Sequence, residues 1–247
     1  MKLDDLFEGA RDLDNRTLAA SILREMEKQL KGRSPDRTVD SMHPHIVSIY
    51  DASKWDVPPE LKEYFSKLRI KFRAAPGERV MYASFAKGNF DHITLFIPVP
   101  SARTVEQWEQ TTAANASYWV KRHSENIYHE IIHLMDSHRY KDPEYFDKNA
   151  VDVNTKDYDE VNSQYVDYVN SPHEFNAYTQ EVIHEFERKI GDTIDPKKVV
   201  QLSPGELYKL LIRPLMLATK SSLNDETKRR FAKRVNQLYY DIKKKYS

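Results

Sequence analysis

The chain has no cysteine among its 247 residues. That excludes disulfides, thiolate metal sites and cysteine nucleophiles, so any metal binding or catalysis must rest on His, Asp, Glu, Ser or Tyr. Glycine is scarce, at 6 residues, which favours long helices over a fold dominated by tight turns. No run of apolar residues is long enough for a transmembrane helix. The N-terminal MKLDDLFEGARDLDNR is acidic and lacks an apolar h-region, so no secretory signal peptide is expected. The chain is therefore expected in the cytoplasm, or outside it by a route without that signal. Net charge is missing too, with 38 Lys+Arg against 38 Asp+Glu. A neutral total argues against a chain that coats nucleic acid or an anionic membrane along its whole length. What the chain does have is 15 Tyr and 10 Phe, which argues against disorder and for a sizeable core.

Periodicity predicts an α+β protein, mainly helical, with a small sheet. Residues 15–31 read as an amphipathic helix with Leu18, Ile22, Met26 and Leu30 spaced four apart, stopped by Gly32 and Pro35. His45–Ala52 reads as a strand rich in branched and aromatic residues. Pro58-Pro59-Glu60 opens a predicted helix through Leu68, since proline is tolerated in a first turn. Arg79–Ala86 and His92–Val99 then read as a hairpin turning at Gly88, with Pro98 marking the second run as an edge strand. A helical pattern covers Thr104–His138, broken near Thr112–Asn115, and residues 139–170 read as a long polar, acidic, Tyr-rich loop with short helical turns. Helices are expected again over 171–190, 203–219 and 224–246. Ser171-Pro172-His173-Glu174 and Ser203-Pro204-Gly205-Glu206 have the spacing of capping boxes with proline at the first helical position.

One motif carries chemistry. His129-Glu130-Ile131-Ile132-His133 is an HExxH sequence. On a helix, residues four apart lie about 40° apart on one face, so both imidazoles can reach one ion. Glu130 is rotated by about 100° and can address a metal-bound water without ligating. With 9 His in the chain, chance supplies roughly 0.02 such motifs. The bland alternative is a helix with two surface histidines and a solvated glutamate.

A zinc site needs a third protein ligand and an open position. The metzincin continuation fails, because Asp136 stands at its glycine position and Arg139 at its last histidine. The remaining candidates open the next helix: His173, Glu174, Glu181 and His184. On a helical wheel Phe175, Tyr178, Val182 and Phe186 form the buried stripe, with Glu174, Glu181 and Glu185 at its border and His173 and His184 well round the helix. Glu174 is favoured because it also lies in the first turn, where the chain enters from the loop. Its alternative role is to cap its own helix with Ser171.

His129–Asp136 together with Asn170-Ser171-Pro172-His173-Glu174-Phe175-Asn176-Ala177 resembles the gluzincin metallopeptidases, in particular the group of the anthrax lethal factor catalytic domain and the Pro-Pro endopeptidases. The likeness covers Asn126 to Glu181. It implies a zincin-like domain over 1–247, with a helical extension at 1–40, a catalytic core at 41–190 and a helical part at 191–247. It also implies a zinc-dependent endopeptidase holding one Zn2+ per chain through His129, His133 and Glu174, with Glu130 as general base. In that family a tyrosine shortly before the ligand glutamate stabilises the oxyanion. Tyr168 is similar in placement, with Tyr165 in reserve. The family's substrates lie extended along an edge strand, a role that falls here to His92–Val99. Ile131 and Ile132 replace the small residues common in the motif, and Tyr178 stands where many gluzincins place an acid that supports a ligand histidine. Asp136 can take over part of that support.

The neutral total hides an uneven distribution. Residues 141–190 hold a net charge of −7 and residues 203–247 a net charge of +7. The acidic stretch lies between the expected ligands, so it is expected to wall the cleft and favour basic or neutral peptides. The partner expected is a peptide or protein substrate. Two other readings stand beside the peptidase: a non-catalytic binding or structural protein with a structural zinc site, and a nucleic-acid-associated protein using its basic C-terminal helix. No nucleic-acid motif accompanies that helix.

Overall fold

A computed structural model of the chain describes residues 3–41, 45–76, 82–99, 115–139, 165–220 and 222–247. Contacts divide the chain into two compact units, one of residues 17–139 and one of residues 1–16 with 140–247. Helix α1 (Leu3–Leu30) contributes to both units.

In the unit of residues 17–139, Ile22, Met26 and Leu30 of α1 are buried, at the spacing the sequence predicts, while Leu18 is half-buried. Five strands form one mixed sheet: β1 (Arg37–Ser41), β2 (His45–Asp51), β3 (Leu68–Pro76), β4 (Tyr82–Ala86) and β5 (Asp91–Val99), in the order β1-β2-β3-β5-β4. All neighbours are antiparallel except β3 and β5. The helix expected from Pro58 to Leu68 ends early. A 3-10 turn at Pro59–Leu61 runs into the short α2 (Lys62–Phe65), and Leu68 begins β3 instead. From that point the pattern has period two. Leu68, Ile70, Phe72 and Ala74 are buried and the residues between them are not, which is how a strand with one covered face must read.

The predicted hairpin is present, with Ala86 opposite His92 and Tyr82 opposite Phe96. Its edge is the reverse of the expectation. β5 is paired on both sides, to β3 and to β4, so the edge strand is β4 (Tyr82–Ala86). Pro98 lies within β5 and stands opposite Ala75 of β3, so proline here does not mark a sheet edge.

Helices α3 (Ala116–Arg122) and α4 (Ser124–Arg139) follow, broken at His123, whose φ of −116° and ψ of 33° leave the helical region. Of the break expected near Thr112–Asn115, residues 112–114 lie outside the described residues. α4 packs against β4 and β5, and Lys87 Nζ donates to the Ser137 carbonyl at 3.1 Å, pinning the end of the β4 strand to the last turns of α4.

In the other unit, residues 165–170 are helical, in keeping with the short helical turns expected within 139–170. Residues 140–164, with about half of the acidic stretch, lie outside the described residues. Then come α5 (Pro172–Lys189), α6 (Pro196–Val200), α7 (Pro204–Ala218) and α8 (Asp225–Tyr246). Their apolar stripes share one core that includes Phe175, Val182, Phe186, Leu207, Leu211, Phe231, Val235 and Leu238. Each large side chain buried there contributes on the order of 1.5–3 kcal/mol. Ser203 and Glu206 form the capping box that their spacing predicts, and Asn224 caps α8 by accepting from Thr227 N.

Candidate metal centre

Helix α4 is enclosed on every side across its middle. Residues Ile127 to Ser137 are all buried, including His129, Glu130, His133 and Asp136. This removes the alternative of two surface histidines beside a solvated glutamate. Burying imidazoles and carboxylates is costly unless partners or an ion compensate them, so their enclosure demands a chemical reason. The helical period supplies the pairing. The Nε2 atoms of His129 and His133 face each other at 3.1 Å, with ring centroids 4.8 Å apart.

Glu174 lies in the first turn of α5, behind Pro172 at the first helical position. It is buried, at 3% exposure. Ser171 makes no side-chain capping bond, and its N–H donates to the Tyr168 carbonyl at 3.0 Å. The capping box expected for this pair is therefore not formed. One donor atom from each of His129, His133 and Glu174 lies within 4.8 Å of the others, and all three side chains are buried. Among the described residues it is the one group of three His, Asp or Glu side chains so arranged. Such a group can hold a metal ion.

The donor geometry was tested against zinc. Two nitrogens each about 2.05 Å from a single ion stand about 3.3–3.4 Å apart at the tetrahedral angle. The 3.1 Å separation of the imidazoles is within a few tenths of an ångström of that value. Two neutral imidazoles and one carboxylate also form a donor set that zinc accepts.

The other candidates divide clearly. His173 was expected well round the helix but is buried, with Nε2 3.7 Å from Glu174 Oε1 and Nδ1 3.4 Å from Ser171 Oγ. The helical wheel failed there because the first turn of α5 is covered on more than its apolar stripe, with Ser171, His173, Glu174 and Phe175 all buried. Glu181 and His184 are half-buried and are not part of the three-residue group. Tyr165 and Tyr168 sit on the helical segment before α5, with rings 6.4 Å apart. Burial pushes the Tyr165 phenol above its ordinary pKa, and the negative charge of Glu174 pushes it the same way. Tyr178 is half-buried, and Asp136 is buried.

Sequence reasoning missed one feature beside the motif. His138 Nε2 lies 3.2 Å from Asp91 Oδ2, and its Nδ1 lies 3.8 Å from Glu63 Oε1, with the Tyr64 ring 5.2 Å away. No spacing rule joins these positions; their meeting depends on the start of β5 approaching the last turn of α4. The chain was compared with protein-family models, with curated proteins and with solved structures, and none matched.

Proposed function

We propose that the protein is a zinc-dependent endopeptidase of gluzincin type, built on a zincin-like fold. The observation that carries this reading is the buried group of His129, His133 and Glu174 on a helix whose sequence also places Glu130 one residue from the first histidine. In this reading those three side chains hold one zinc ion per chain. When bound, zinc lowers the pKa of a water molecule and polarises a carbonyl oxygen.

The rest of the chemistry belongs to the chain. Glu130, buried beside the pair, accepts the proton of the attacking water and passes it to the leaving amine. Its carboxylate must therefore remain ionised before attack. The Tyr165 or Tyr168 phenol donates a hydrogen bond to the oxyanion as it develops. The resemblance favours Tyr168, with Tyr165 in reserve. Asp136 orients a ligand imidazole by accepting its second N–H. The edge strand β4 offers main-chain groups to an extended peptide, which makes recognition only partly dependent on substrate sequence.

Metal analysis combined with cleavage of a peptide library, on wild type and Glu130→Ala, tests the reading. Both proteins should carry about one zinc per chain while only the wild type cuts. A wild type purified without chelators that carries no zinc sinks the proposal. A zinc-loaded wild type that cuts no faster than Glu130→Ala leaves a metal site without peptidase chemistry.

A further inference from the structure

The sheet carries a row of cations on the face opposite its buried one. On β3, Arg69, Lys71 and Arg73 alternate with the buried Leu68, Ile70, Phe72 and Ala74 and are half-buried themselves. The parallel register sets Arg69 opposite His92, Lys71 opposite Thr94 and Arg73 opposite Phe96. Four groups able to carry positive charge therefore share one face of two adjacent central strands.

Little on the neighbouring strands offsets them. Asp51 of β2 stands opposite Arg69 and feels its charge, but it also accepts from Ser53 N at 3.3 Å and Ser53 Oγ at 2.6 Å and lies 3.6 Å from Lys54 Nζ, so it offsets Arg69 only in part. On β4, Ser84 faces Thr94 and Ala86 faces His92, which adds no charge. Among the described residues, Arg69, Lys71, Arg73 and His92 form no ion pair. The guanidinium of Arg69 lies 3.4 Å from the centre of the Phe90 ring, and that of Arg73 lies 5.8 Å from the Phe96 ring. These contacts orient the two charges without neutralising them. His92 Nδ1 is buried and has no hydrogen-bond partner among the described residues.

Adjacent like charges on one sheet face destabilise the sheet, and partial burial raises the cost. The effect is visible on two groups. Burial first, and then the charges of Lys71 and Arg69, push His92 below its ordinary pKa, opposed by Asp91. Burial and Arg69 do the same to Lys71. A bound anion would reverse both effects.

We propose that this face binds a phosphate-bearing anion, gripped by Arg69, Lys71 and Arg73, with His92 donating from Nδ1. Phosphate suits the arrangement better than a carboxylate. It offers enough acceptor oxygens to meet two guanidinium forks, an ammonium and an imidazolium together, where a carboxylate has two. Arginine forks match phosphate oxygens in pairs, and lysine adds a point charge.

The test titrates the full chain with inorganic phosphate and, at matched ionic strength, with sodium chloride, following the His92 ring resonances by NMR and the thermal midpoint. Phosphate should raise the His92 pKa and the midpoint, and chloride should not. Lys71→Ala should weaken phosphate binding about tenfold, the loss of one charge-assisted hydrogen bond. Arg73→Gln, with its side chain also on the outer face, should do the same and serves if Lys71→Ala folds poorly. A single-stranded oligonucleotide that binds more tightly than free phosphate, with affinity falling steeply in salt, assigns the phosphate to a nucleic-acid chain; equal affinity assigns it to a small phosphorylated molecule. A response to phosphate no larger than that to chloride, or variants that bind phosphate like wild type, overturns the proposal.

Discussion

The Nε2 atoms of His129 and His133 lie 3.1 Å apart with ring planes inclined at 77°. Two imidazole lone pairs aimed at one point repel unless a proton or a cation lies between them. The helix holds both rings at that separation, in surroundings from which water is largely excluded, so a cation there has little competition from solvent. His133→Ala should therefore weaken zinc binding by more than about 100-fold, the upper end for losing a mere supporting contact. Competition with a chromophoric chelator measures it. An affinity within a few-fold of wild type would remove His133 from the ligand set.

Glu174 and Glu181 lie on the same helix and differ in burial and in their neighbours. Glu174 is buried and belongs to the three-residue group, whereas Glu181 is half-buried and does not. Glu174→Ala should lower zinc affinity by a factor comparable to His133→Ala, and Glu181→Ala should leave it within about threefold of wild type. Equal effects in the chelator assay would mean that the carboxylates act only through the net charge of α5.

The two tyrosines can be told apart by kinetics. Tyr168→Phe should lower kcat about 10²- to 10³-fold with zinc content intact, the usual cost of losing one oxyanion donor. Tyr165→Phe should change kcat little. The reverse pattern in steady-state assays would give the role to Tyr165.

Stability should fall as the pH rises through the titration of Glu187. Burial, partly offset by Arg16 and Lys245 and reinforced by Asp241, holds its carboxyl above the ordinary value of 4.5. The folded state thus binds this proton more tightly than the unfolded state does. The stabilisation is complete below the ordinary value and is lost as the pH rises through the raised one. Glu187→Gln should flatten that part of the profile and raise the thermal midpoint at neutral pH, and scanning calorimetry from pH 4 to pH 8 would show it. A Glu187→Gln profile parallel to wild type would assign the slope to another group.

Much of the helical part was legible because its signals are local. Leu18, Ile22, Met26 and Leu30 mark one face of α1 by spacing alone, and Ser203 with Glu206 closes a capping box within a single turn. The same rule failed at Ser171 and Glu174, where an identical spacing holds no capping bond. A buried carboxylate there finds its surroundings in residues far along the chain. Strand β3 was not read from the sequence beyond Leu68, where the expected helix ended. Arg69, Lys71 and Arg73 interrupt its apolar residues, and only their burial shows the alternation. Which strand lies at the sheet edge was equally beyond local reading, since β3 pairs with β5 in parallel across the intervening β4.

The sequence by itself determined that two imidazoles and a carboxylate share a short stretch of helix, because the 3.6-residue period is a property of the backbone and needs no neighbours. It also restricted any metal site to nitrogen and oxygen donors, through the missing cysteines. Only the tertiary structure decided that this stretch is buried rather than solvated, and that Glu174, not His173, Glu181 or His184, joins His129 and His133. Burial and the meeting of distant side chains are set by long-range packing, and helical spacing carries no information about either.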